Sequence, residues 1–123
     1  MIKFVYCVHR LPHLSPEAFR KYWLEEHGPL VRKYAKALRA CRYVQSHTLD
    51  TPLNLVAREP RGAGEPYDGL TEVWWNSMED LVAATESPEG QEANLLLTQD
   101  ESRFVDLARS SVFFTQEHTL FDI

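Results

Sequence analysis

Residues 22–31, YWLEEHGPLV, begin as an amphipathic helix and then meet a helix-breaking pair. Trp23 and His27 are four residues apart, so they share one face of the helix. The pair Gly28-Pro29 predicts an interruption, because the residue before a proline avoids the α region. We therefore expect a kinked helix or two stacked segments, with His27 on the apolar face at the break.

Alternating apolar and polar residues elsewhere in the chain predict four strands. We place them at residues 2–9, 41–49, 70–75 and 111–121. Capping sequences open two further helical segments at Ser77 and Ser87. The resulting order is β-α-β-β-α-β with an extra helix before the last strand. This order predicts a single α+β domain over residues 1–123, a ferredoxin-like fold with a four-stranded antiparallel sheet.

Helices on one face of such a sheet leave the other face open. That face is partly apolar whichever set of alternating residues occupies it, so something must cover it. A second copy of the same sheet is the simplest cover, and we expect a symmetric homodimer. Residues 50–66 contain three prolines and two glycines without a convincing period. They predict a long loop that is a candidate lid or pocket rim.

The composition argues against several classes of partner. The net charge is -5 and the pI is about 5.5, and Lys and Arg do not cluster as they do in proteins that bind nucleic acid or anionic membranes. No apolar run approaches the roughly 20 residues that cross a bilayer, and the first residues lack a signal-peptide pattern. We expect a cytoplasmic protein.

His27 is the first candidate for a functional site. Its place on the apolar face points it toward the sheet, and a helix end favours the protonated imidazole. These features suit a proton-transfer group. They also suit a histidine that only caps its own helix.

Three polar side chains follow one another on one face of the second predicted strand, at Tyr43, Gln45 and His47. A buried stripe of this kind needs hydrogen-bond partners, and a polar ligand is one such partner. A dimer interface in which the groups pair across subunits is the alternative. His118, near the chain end, projects into the same cavity, lies over the partner subunit of the dimer, or is solvated.

Two acidic residues need separate explanations. Glu72 lies mid-strand on the same face as Leu70 and Trp74, where a carboxylate is costly unless it is paired or protonated. It either orients a catalytic histidine or forms a salt bridge with Arg42. Asp68 precedes a glycine and is most simply explained by turn chemistry, although it remains a candidate ligand contact.

Aromatic residues accompany these polar groups. Tyr22, Trp23 and Trp74 are typical core residues. Rings beside several histidines would also line a flat apolar cavity that binds an aromatic or polycyclic ligand.

The motifs assembled so far resemble the EthD family. They are HRLPHLSPEAFRKYWLEEHGPLV at residues 9–31, RYVQSH at residues 42–47, YDGLTEVWW at residues 67–75 and EHTL at residues 117–120. The resemblance implies a dimeric α/β barrel, in a group that includes small cofactor-independent polyketide cyclases, lactone isomerases and monooxygenases. Because the family shares the His-Gly-Pro motif, the resemblance favours a pocket role for His27. The founding EthD type is an auxiliary of an oxygenase degradation system.

Two functions of different classes follow from these residues. The first is a cofactor-independent enzyme, in which His27, His47 and either Glu72 or His118 move protons on a small aromatic, polyketide-like or lactone substrate. The second is a non-catalytic auxiliary that binds a hydrophobic small molecule for an oxygenase. The chain has no glycine-rich phosphate loop or dinucleotide fingerprint, and its histidines lack metal-ligand spacing, so we expect no cofactor and no metal.

Overall fold

The computed structural model describes residues 1–123 and contains one four-stranded sheet. The strands are β1 (Ile2–Val8), β2 (Arg42–His47), β3 (Gly69–Trp75) and β4 (Ser111–Gln116). The order across the sheet is β2-β3-β1-β4, and every pair of neighbours is antiparallel. The predicted α+β, ferredoxin-like arrangement is confirmed.

Five α-helices connect or follow these strands. They are α1 (Pro16–Tyr22), α2 (Gly28–Tyr34), α3 (Leu53–Arg58), α4 (Met78–Glu86) and α5 (Pro88–Glu101). Short 3₁₀ turns occur at Glu59–Arg61 and Leu107–Arg109. Ser15, Ser77 and Ser87 cap α1, α4 and α5 through their hydroxyl oxygens. The caps at Ser77 and Ser87 are those expected from the sequence. None of the helices combines the length and the apolar character needed to cross a membrane.

A π-helical turn, Trp23–His27, joins α1 to α2. The N–H of Gly28 donates to the carbonyl of Trp23, five residues earlier, and Gly28 keeps right-handed helical angles. The expected break at Gly28-Pro29 is therefore a widened turn within a helical segment. Pro29 has no N–H to donate, and the wider turn accommodates it without ending the helix. Gln45 on β2 donates its Nε2–H to the same Trp23 carbonyl at 2.8 Å.

The register of the strands defines two faces of the sheet. Tyr6 pairs with Thr71, and Val8 pairs with Gly69, on the face that packs against the helices. The largest core cluster lies on this side and consists of Val8, Phe19, Trp23, Phe104 and Val105, each at most 2% exposed. The other side of the sheet carries no helix, and we call it the open face.

Residues 50–66 differ from the predicted long loop. They contain α3 and the 3₁₀ turn at Glu59–Arg61. Thr51 accepts the N–H of Leu53 at 3.3 Å, and the Asn54 amide donates to the carbonyl of Leu49 at 2.7 Å. These local hydrogen bonds start a short exposed helix, which the prolines and glycines of the segment obscured in the sequence.

Candidate functional site

A cavity of about 360 Å³ lies between the helices and the helix-facing side of the sheet. We call it the main cavity. Fifteen of its 22 lining residues are hydrophobic, among them Trp23, Trp75 and Leu97. Phe114 and Asn94 line it and are also exposed, so they mark its opening. Its volume is at the lower end of the range for small-molecule sites, and residues 50–66 do not contribute to its lining.

His27 is the polar residue most firmly fixed in the wall of the main cavity. Its side chain is buried, and its ring packs on Phe104 with centroids 4.9 Å apart. Its Nδ1 atom lies 2.7 Å from a carboxyl oxygen of Asp100 on α5. The other carboxyl oxygen of Asp100 accepts the Tyr22 hydroxyl at 2.6 Å. The carboxyl group thus holds two side chains of the first helical segment and fixes the orientation of the imidazole.

The second ring nitrogen of His27 is free to act on a ligand. Nε2 of His27 makes no hydrogen bond, and no side-chain nitrogen or oxygen atom that lacks a partner is fully buried. Nε2 is therefore accessible, on a residue that lines the main cavity. Burial lowers the pKa of His27 below 6.5, while the hydrogen bond and charge of Asp100 oppose this effect. The imidazole is therefore neutral at pH 7. With Nδ1–H donating to Asp100, Nε2 presents a lone pair, as a general base requires.

Glu101, the residue after Asp100, lines the main cavity as His27 does. Burial raises the pKa of Glu101 to about 7, and the neighbouring Asp100 adds to this, while hydrogen bonding from Tyr6 opposes it. No Lys or Arg pairs with this carboxyl group, and none lines the cavity. Glu101 is therefore partly protonated at neutral pH and can donate a hydrogen bond.

Tyr6 and Tyr43 complete the polar part of the lining near Glu101. Burial raises the pKa of Tyr6 above its usual range and that of Tyr43 to about 12, so both phenols stay protonated. The Tyr43 hydroxyl accepts the Gln45 amide at 2.7 Å. Its own hydrogen remains available to a ligand.

His47 lies outside the main cavity. Its ring stacks on Trp23 with centroids 4.4 Å apart and an interplanar angle of 12°, and its Nε2 lies 2.8 Å from the Gln45 amide oxygen. Burial and the nearby Arg20 lower its pKa. His47 and Gln45 thus pack against Trp23 outside the main cavity. They do not line that cavity with His27.

Three other predicted site residues also lie away from the main cavity. Glu72 and Trp74 are on the open face, since β3 directs Thr71 and Val73 to the helices. Glu72 forms a salt bridge with Lys3 at 2.8 Å. Arg42 stacks over Trp74, so the alternative of a salt bridge between Glu72 and Arg42 is wrong. His118 is exposed beyond the end of β4. Strand alternation explains the placement of the first two residues.

Asp68 has a structural role at the end of the sheet. It accepts the backbone N–H of Arg10 at 2.8 Å and the Arg10 guanidinium at 3.3 Å, and His9 lies 3.7 Å away. These contacts fix the chain after β1 to the start of β3. Of the predicted ligand contacts, Trp23 and Tyr43 line the main cavity, and Tyr22 reaches the site only through Asp100.

Asp100, Glu101 and Tyr6 were not predicted as site residues from the sequence. One signal was present for the two acids: they end α5, in a last turn without basic residues. The helix dipole disfavours negative charge there, so an acidic pair at that position needs a special environment. No group of three or more His, Cys, Asp or Glu side chains is arranged to hold a metal ion.

Comparison with protein-family models gives one match, the EthD domain, over residues 11–108. Comparison with curated protein sequences gives no significant match. Among solved structures, an ethyl tert-butyl ether D family protein from Bacillus halodurans C-125 is similar with a TM-score of 0.63 and 17% identity, covering 96% of this chain and 99% of that one.

Two further structures extend this likeness. SnoaB from Streptomyces nogalater, described as a cofactor-independent oxygenase, has a TM-score of 0.58 and 13% identity, with coverage of 98% of this chain and 97% of that one. A dimeric ferredoxin-like protein of unknown function from Thermobifida fusca YX has a TM-score of 0.56 and 12% identity, with coverage of 93% and 88%. At these identities the likeness establishes the fold alone.

Proposed function

Because the chain belongs to the EthD family, and because one apolar cavity contains an oriented histidine, we propose that it is a cofactor-independent acid/base enzyme. Its substrate is a small aromatic, polyketide-like or lactone molecule. The observation that best supports this proposal is the 2.7 Å contact between Nδ1 of His27 and Asp100. This contact leaves Nε2 without a protein partner, on a residue that lines the main cavity.

His27 acts as the general base in this proposal. Asp100 holds the imidazole in the tautomer that exposes the Nε2 lone pair, and it stabilises the imidazolium that forms when His27 takes a proton from the substrate. The apolar lining excludes water, which strengthens both interactions. Proton transfers of this kind serve an isomerase, a cyclase, a dehydratase or a cofactor-independent oxygenase equally, and the similarity to SnoaB supports the last of these.

Turnover of a panel of aromatic polyketides, lactones and phenols tests the proposal. We expect the unaltered protein to convert at least one member without added metal or cofactor, and His27→Gln to lower kcat by about 10²-fold or more. Glu92→Gln, an exposed substitution on α5, is the matched control and retains full activity. Equal turnover by the unaltered protein and His27→Gln would overturn the proposal.

A non-catalytic auxiliary role is the second candidate, and the predominance of hydrophobic residues in the cavity lining favours it. This role requires tight binding of an aromatic ligand with no chemical change. Ligand recovered intact after prolonged incubation, with the same affinity for His27→Gln, would establish it over the enzyme.

We also propose that the protein is a homodimer joined through the open face. This face presents Cys7, Val44, Leu70 and the exposed Phe113 beside the Lys3–Glu72 pair. A monomer would leave this mixed surface in water, whereas a second copy covers it. The likeness to the dimeric Thermobifida fusca protein supports the proposal.

A further inference from the structure

The polar groups of the main cavity define the chemistry of its ligand. His27 presents a lone pair at Nε2, and Glu101 presents a carboxyl group with no cationic partner. A hydrogen-bond acceptor and a proton source therefore line one apolar space. No Lys or Arg lines this space to neutralise an anionic ligand.

Asp100, which orients His27, and Glu101 are consecutive residues at the end of α5. Asp100 contacts His27 and Tyr22, whereas Glu101 lines the main cavity together with Tyr6 of β1. Tyr43 on β2 is the remaining titratable group near Glu101. None of the groups that face Glu101 is a permanent cation, so nothing in the cavity holds its carboxyl group in the charged form.

Resting on the proposed function, we infer that Glu101, which lines an apolar cavity without Lys or Arg, recognises the carbonyl oxygen of an uncharged aromatic ketone by donating a hydrogen bond to it. His27 faces the carbon next to that carbonyl. Carboxylates, phosphates and coenzyme A thioesters are excluded because the cavity offers them no counter-charge.

With His27 and Glu101 on the two sides of the ketone, a proton-transfer step follows. His27 Nε2 takes a proton from the carbon next to the carbonyl, the electrons of that C–H bond form a C=C bond, and the carbonyl oxygen takes the proton of Glu101. The product is the enol, with His27 protonated and Glu101 ionised. Where a further C=C bond is conjugated with this enol, His27 returns the proton to the far carbon of that bond and the enol returns its proton to Glu101, so the double bond shifts and an isomerisation is complete without a co-reactant.

Binding of two matched bicyclic probes tests the ligand assignment on the unaltered protein. The probes are 1-tetralone, an uncharged aromatic ketone, and 1-naphthoate, an anion of similar size, and calorimetry at pH 5.5, 7 and 8.5 gives the affinities. Since the pKa of Glu101 is about 7, we expect 1-tetralone to bind about tenfold or more weakly at pH 8.5 than at pH 5.5. We expect 1-naphthoate to bind at least about tenfold more weakly than 1-tetralone at pH 8.5.

Glu101→Gln keeps a hydrogen-bond donor and removes the titration. We expect this variant to bind 1-tetralone with the same affinity at pH 5.5 and 8.5, while Glu92→Gln keeps the pH dependence of the unaltered protein. Affinity of Glu101→Gln that still falls with pH, tighter binding of 1-naphthoate or absence of 1-tetralone binding would each overturn the inference. The two probes on the unaltered protein decide the question if Glu101→Gln does not fold.

Deuterium exchange at C2 of 1-tetralone in D₂O, followed by NMR, separates this inference from the proposed function. Exchange that His27→Gln abolishes supports the acid/base enzyme even where the binding pattern overturns the role of Glu101. The expected binding pattern without any exchange supports the ketone site and counts against the enzyme.

Discussion

The Nδ1 atom of His27 lies 2.7 Å from a carboxyl oxygen of Asp100, although 73 positions separate the two residues in the chain. The contact fastens the π turn to the last turn of α5. It also decides which nitrogen of the imidazole faces the main cavity. The chemistry of the site therefore depends on Asp100 as much as on His27.

Asp100→Asn tests this dependence. Asp100 raises the pKa of His27 against the effect of burial, so the substitution lowers that pKa further and weakens the base. An amide also permits the other imidazole tautomer, which turns a hydrogen rather than a lone pair toward the ligand. We expect the exchange rate of 1-tetralone to fall by about tenfold or more.

Titration of the His27 ring by NMR measures the pKa change directly. Asp122→Asn, at an exposed position near the chain end, is the control and leaves both the pKa and the exchange rate unchanged. An unaltered His27 pKa in Asp100→Asn would show that the contact does not govern the imidazole.

Glu101 gives the stability of the protein a pH dependence above pH 4.5. Burial raises its folded-state pKa from 4.5 to about 7, so the folded protein binds this proton more tightly than the unfolded chain. The contribution to stability is fully present below pH 4.5 and is lost as the pH rises through 7. A shift of this size corresponds to at most about 3 kcal/mol.

Urea denaturation of Glu101→Gln at pH 5 and pH 8.5 checks the sign. The amide resembles the protonated carboxyl group, so the variant should be more stable than the unaltered protein at pH 8.5 and should lose this advantage at pH 5. His27 acts on the acid side: its pKa is lowered, so its contribution is present above pH 6.5 and is lost as the pH falls. An advantage of Glu101→Gln that is equal at both pH values would contradict the prediction.

Alternation and capping residues predicted the sheet and most of the helices, because each is a local pattern. The four-residue spacing from Trp23 likewise placed His27 on the buried face, where it is 5% exposed. The π turn was not predictable, since it depends on how Pro29 is accommodated while Gln45 holds the Trp23 carbonyl from β2.

The rest of the site depends on contacts between residues that are far apart in the chain. Strand alternation separates Glu72 from Thr71 but does not say which of them faces the helices. The packing of the helices on one side of the sheet decides that question, and Thr71 lines the main cavity there. Asp100 and Glu101 occupy a polar helix segment that looks solvated in the sequence. Their burial follows from the packing of α5 against the π turn.

Gly69 permits the close approach of Trp23 to the sheet. A Cβ atom there would overlap two ring carbons of Trp23 and lie 2.9 Å from the Ser46 carbonyl oxygen. We expect Gly69→Ala to displace the indole from His47 and to lower the free energy of unfolding by about 1–3 kcal/mol. Gly64→Ala, where a Cβ meets nothing within 4 Å, is the control. Urea denaturation with near-ultraviolet circular dichroism measures both effects, and equal stability of the two variants would contradict this account.

Phe113 tests the proposed dimer through the open face. It is 48% exposed on that face and pairs in register with Val5 of β1. Phe113→Asp places a charge where a second copy would pack, so we expect a shift from dimer to monomer in light scattering. Val82→Asp, at a similarly exposed position on α4, keeps the dimer. Because Phe113 does not line the main cavity, the monomeric variant should retain 1-tetralone binding. A dimer that persists in Phe113→Asp and dissociates in Val82→Asp would place the interface on the helices instead.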